Sequence, residues 1–92
     1  MEKLHRFKLV DGKFSPADAS QVLQTLINSK INFHNMEVFS LKERMTGDPS
    51  PHVKRIGQLK EARDYVDSIL KFAKEEGKNL KLEGTIKITL LR

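Results

Sequence analysis

The sequence predicts an α+β fold with the order β-α-α-β, in which an antiparallel helical hairpin is packed on a small antiparallel sheet formed by the N- and C-terminal strands. Three observations predict it. Apolar residues recur at steps of three and four over 16–37 and again over 51–76, the spacing that lines one face of a helix. Each of those stretches follows a Ser-Pro pair, Ser15-Pro16 and Ser50-Pro51. The two ends of the chain, 4–10 and 80–91, instead alternate apolar with polar at the period of a half-buried strand.

In the first strand, His5, Phe7 and Leu9 alternate with Arg6 and Lys8. Asp11-Gly12 has turn chemistry and is expected to redirect the chain into the first helix. Ser15 is the expected cap of that helix, Pro16 its first residue, and Asp18 the acid of a capping box; Phe14 and Ala19 stand at staple positions. Its apolar stripe continues through Val22, Leu23, Leu26, Ile27, Ile31 and His34, while Gln21, Gln24, Thr25, Asn28 and Asn32 make a polar but uncharged outer face. Phe33, Met36, Val38 and Phe39 crowd the end of this helix. Large apolar side chains are mostly buried, so the cluster is expected to close one end of the core. A partner-binding apolar patch at Phe33, Met36 and Phe39 is the alternative.

Residues 40–49 are expected to form a loop, with strong turn chemistry in Thr46-Gly47-Asp48-Pro49 and one helical turn at most in Lys42-Glu43-Arg44. The second helix, 51–76, organises the chain. Val53, Ile56, Leu59, Ala62, Val66, Ile69, Leu70 and Ala73 form one wide stripe, with Tyr65 and Phe72 on its flank. Gly77 supplies a left-handed stop. Gly57, inside the helical pattern, is expected to allow close approach of a neighbouring element. In the last strand Leu80, Leu82, Ile86, Ile88 and Leu90 alternate with polar residues, and Gly84 marks a bulge or the true start of the strand.

Ninety-two residues make a single domain, 1–92, too short to split its core. The chain has no cysteine, so it holds neither a disulfide framework nor a thiolate site. It has no apolar run of the ~18 residues a membrane span needs, and a cytoplasmic location is expected. A two-stranded sheet is marginal alone and leaves both strands with an open edge. A homodimer, paired through those edges into a four-stranded sheet, is therefore expected; the alternative is a monomer whose edges Lys81 and Lys87 guard.

Chemistry-bearing motifs are sparse. His34 and Glu37 have the i, i+3 spacing of paired metal ligands, but a site needs more, and His5 and His52 would have to converge from other elements. No glycine-rich phosphate loop and no G-x-S-x-G setting occurs. No metal, no cofactor and no catalysis is expected. One local rule is broken: His52, Lys54 and Arg55 begin the second helix with no acid between Pro51 and Lys60, although cations are unfavourable at that positive end. With Lys42 and Arg44 they form a candidate anion or nucleic-acid site, unless Asp48 simply neutralises them. The net charge of +5 leans the same way, but its cations are scattered. The expected function is a small non-catalytic protein-interaction or regulatory module acting as a homodimer. The alternative is a nucleic-acid-binding accessory protein using the basic 42–63 region.

Overall fold

The computed structural model describes residues 3–91 and places four elements in the expected order: β1 (Leu4–Phe14), α1 (Pro16–Arg44), α2 (Ser50–Glu75) and β2 (Leu80–Thr89). The two helices form a hairpin, and the terminal strands pair antiparallel in a two-stranded sheet.

Local chemistry sets the boundaries. Ser15 is extended, and its Oγ accepts the Asp18 N–H at 3.2 Å, which satisfies one of the orphan donors that open α1. α1 then runs seven residues past the expected end at 37, through Arg44. Nothing in Val38–Arg44 breaks a helix, so the expected loop over 40–49 shrinks to 45–49. Met45 ends α1 in the left-handed region at φ 55°, with its N–H returned to the Leu41 and Lys42 carbonyls. α2 begins one residue before the expected 51: Ser50 is already helical, and the Asp48 Oδ1 accepts its N–H at 2.9 Å. Gly77, at φ 63°, stops α2 as expected, and the Lys78 N–H closes back on the Ala73 carbonyl at 2.8 Å.

Asp11-Gly12 does not turn the chain. β1 continues through both residues to Phe14, pairing Asp11 with Glu83 and Gly12 with Leu82. The register slips once, between Lys8 and Val10, so Leu9 is the extra residue of a bulge in β1, opposite the step from Gly84 to Thr85. The bulge has a physical purpose. Phe7 and Val10 are three apart and would face opposite ways in a regular strand; the extra residue brings both to one face. That face carries Phe7, Val10 and Phe14 opposite Ile86, Gly84 and Leu80. The other carries Arg6, Lys8, Asp11 and Lys13 opposite Lys87, Thr85, Glu83 and Lys81. Arg6 opposite Lys87 and Lys13 opposite Lys81 are like-charge rungs, unfavourable across a strand pair. The ion pairs run along the strands instead, Lys8 with Asp11 and Lys81 with Glu83.

The sheet meets the hairpin at its base and does not lie along it. α1 is ~44 Å long at ~1.5 Å per residue, and β1 ~36 Å at ~3.3 Å per residue. Laid over one another, the two would make a narrow rod; placed in line, they would exceed the longest dimension. The observed extents of 50 × 38 × 15 Å require two arms that diverge within one thin plane. The connections hold them apart: Ser15 alone joins β1 to α1, and four residues, 76–79, join α2 to β2. The buried apolar set is correspondingly small, comprising Ala19, Ile31, Leu70 and Ala73, and His34 is buried as well. None of the five phenylalanines is buried.

Candidate functional site

The hairpin has two unlike sides, and cross-helix hydrogen bonds identify them. Gln24 Nε2 donates to Asp67 Oδ1, and Arg63 Nη1 donates to Asn28 Oδ1 at 3.0 Å. These pairs close the seam on a polar side and account for two amides of the uncharged outer face of α1, Gln24 and Asn28, each matched to a charged partner on α2. The helical repeat of ~100° per residue then puts Leu26 and Phe33 of α1, and Tyr65, Ile69 and Phe72 of α2, on the opposite side. All five are exposed; Phe33 keeps 51%, Tyr65 69% and Phe72 58% of its surface in solvent.

The cluster expected to close the core does not close it. Phe33, Met36 and Phe39 are all exposed, and the residues that fill the seam there are His34, Val38 and Leu41. The physical reason is the extension of α1 to Arg44. Once 38–44 are helical, Val38 and Leu41 continue the inward row through His34, leaving Phe33 and Met36 on the open side and Phe39 turned away from both.

At this end of the hairpin two histidines meet. His34 Nδ1 and His52 Nδ1 are 2.9 Å apart, with ring centroids at 5.1 Å. A hydrogen bond between two Nδ1 atoms needs one protonated and the other bare, so the pair shares a single proton there. His34 is 9% exposed, its Nε2 is buried without a partner, and the Phe33 ring stands edge-on at 5.2 Å. Lys30 Nζ lies 5.3 Å from the centre of the same Phe33 ring. Burial holds the His34 pKa below its ordinary value, reinforced by His52, Lys30 and Arg55 and opposed by Glu37. Neither nitrogen reaches a ligand set: among the described residues no group of three or more His, Cys, Asp or Glu stands close enough to hold a metal ion.

Of the five cations of the candidate anion site, three are engaged by partners within the protein. His52 turns into the seam against His34. Arg55 Nη1 donates to Gln58 Oε1 at 3.1 Å, and Arg44 Nε donates to its own helix at the Ser40 carbonyl, 3.3 Å away. Lys54 follows one residue after Val53 and one before Arg55, so it projects ~100° away from each around the helix. Lys42 lies in the last turn of α1, where a cation suits the negative end of the dipole. Hydrogen bonding to Ser50 keeps the Asp48 carboxyl below its ordinary pKa, so a fixed negative charge sits beside the acid-free turn. An open groove at the base is lined by Ser15, Pro16, Ser20, Leu70, Lys71 and Lys74 among others, with no acid and no histidine in its lining.

The residues that sequence reasoning missed are Leu26, Ile69 and their neighbours on the open side. They read as part of one wide stripe turned to the core. Comparison with protein-family models, with curated proteins and with solved structures found no match to this chain. No described helix is long and apolar enough to cross a membrane.

Proposed function

We propose that this protein is a small non-catalytic interaction module that works as a homodimer. The observation that carries the reading is surface area. A compact monomer of 10.6 kDa exposes ~5,500 Å², whereas this chain exposes 7525 Å². The radius of gyration is 16.8 Å, against ~12 Å for a compact chain of this length. The excess of ~2,000 Å² per chain is in the range that obligate homodimers cover. Large apolar side chains such as Phe7, Phe33, Phe72 and Ile88 stay exposed, and a burial this small leaves little to offset the conformational entropy of ordering the chain. In this reading the paired protomers are the folded unit. Their sheet arms, each with an apolar face and open strand edges, are the surface offered to another protein, by strand addition or by covering Phe7, Ile86 and Ile88.

The test is the solution mass by light scattering over a concentration series. A mass of twice 10.6 kDa at micromolar concentration and above supports the reading, and a monomer throughout contradicts it. A second reading, contact with a nucleic-acid backbone, is favoured by the cations of the sheet's polar face, Arg6, Lys8, Lys13, Lys81 and Lys87, and not by the 42–63 region. Such binding weakens steeply with added salt because counterions are released on contact.

A further inference from the structure

We infer that the two copies join through the open sides of their hairpins, forming a four-helix bundle in which Leu26, Phe33, Tyr65, Ile69 and Phe72 of each chain become core. The inference rests on the homodimer reading and names its surface.

α2 carries two rows of residues with alternating steps of three and four, the seam pattern of packed helices. The first row, His52, Ile56, Leu59, Arg63, Val66, Leu70 and Ala73, faces α1: it contains both buried residues of the helix, and its His52 and Arg63 each bond to a residue of α1. The second row, Ala62, Tyr65, Ile69 and Phe72, is exposed throughout. At ~100° per residue the two rows stand roughly 100° apart around the helix axis.

α1 repeats the arrangement. His34 and Val38 belong to its inward row, while Val22, Leu26, Ser29, Phe33 and Met36 form a second row with the same alternation of steps, displaced by a similar angle. An isolated helical hairpin needs one seam per helix. A four-helix bundle needs two, at about a right angle, because each helix has two neighbours.

Both second rows lie on the side opposite the Gln24–Asp67 and Arg63–Asn28 bonds, so one hairpin presents them together and an identical hairpin can meet them about a two-fold axis. The occupant is argued from self-complementarity and from area. The pattern that the seam asks for is the pattern the chain itself displays, and the excess surface matches what a stable dimer covers. The chain's own sheet does not cover this side, whose Leu26, Phe33, Tyr65, Ile69 and Phe72 stay exposed.

Two measurements test it. Leu26 and Ile69 each keep 40% of their surface in solvent in the protomer, so charge placed there disturbs the single chain less than charge in its buried set. Two double variants are prepared, Leu26→Glu with Ile69→Glu, and Leu26→Lys with Ile69→Lys. Each alone should lose the dimer mass and fall to 10.6 kDa, and a mixture of the two should regain it, whichever helix meets which across the axis. If each double variant alone keeps the dimer mass of the parent, the bundle is overturned and the copies meet elsewhere, as through their strand edges, with the homodimer reading intact. If the unmodified chain is itself a monomer, both are overturned.

The unmodified protein carries a second readout should the charged variants fail to fold. Tyr65 is the chain's one tyrosine, there is no tryptophan, and it sits in the proposed seam. Its fluorescence should be shielded from acrylamide in the dimer and become several-fold more quenchable on dilution, in step with the loss of mass. A dimer whose tyrosine is as accessible as in the dissociated chain overturns the inference.

Discussion

The His34–His52 contact ties the last third of α1 to the first turn of α2, and its strength depends on one proton. With His34 charged, its buried Nε2 carries a proton that has no acceptor, and a cation sits buried near Lys30 and Arg55 with Glu37 opposing it. The fold therefore disfavours protonation of His34 relative to the unfolded chain. Between its lowered pKa and the ordinary 6.5, the unfolded state binds more protons, so stability rises with pH there. Thermal unfolding should show a midpoint that is steady above the ordinary value and falls as pH drops below it. His34→Leu, which removes the titrating group and its unpartnered Nε2, should flatten that decline. An equally steep acid-side slope in the variant would locate the pH dependence elsewhere.

Among the elements, α2 shows how much was legible in the sequence and where legibility stopped. Its stop at Gly77 and its pairing with α1 follow from residues whose effect is local: a left-handed glycine and an apolar repeat. Gly57 did not follow. Close approach was the expected reason for it, but a Cβ built there meets nothing within 4 Å. Gly57→Ala should accordingly raise stability by roughly 0.5–1 kcal/mol, read as a higher urea midpoint at unchanged slope. A loss of stability would mean that something covers this face of the helix. The termini of β1 and α1 were misjudged for a related reason. Asp11-Gly12 and 40–44 are permissive of turns but do not force them, and pairing with Glu83 and Leu82, or continuation of the helix, satisfies more backbone groups than a turn would. The split of each helix's apolar residues into two rows was present in the spacing, but it is visible only once the cross-helix bonds of Gln24 and Arg63 show which row is already used. The proton-sharing histidine pair is a meeting of residues 18 apart and has no local signature.

At the scale of the molecule, the thin two-armed shape leaves little interior. A chain of 50 × 38 × 15 Å with four small or aliphatic residues as its buried apolar set has too little interior to account for two well-formed long helices by itself. Their open sides supply the missing contact only if something occupies them, and a second copy is what the area and the seam pattern suit. Stability and association are then one equilibrium. The measurement that tests this most directly is the thermal midpoint of the unmodified protein across a hundredfold range of concentration. Folding coupled to dimerisation raises Tm with concentration, by roughly 5–10 °C over that range for a dimer of this size. A Tm that does not change with concentration would show that the single chain is stable alone, and would contradict the account.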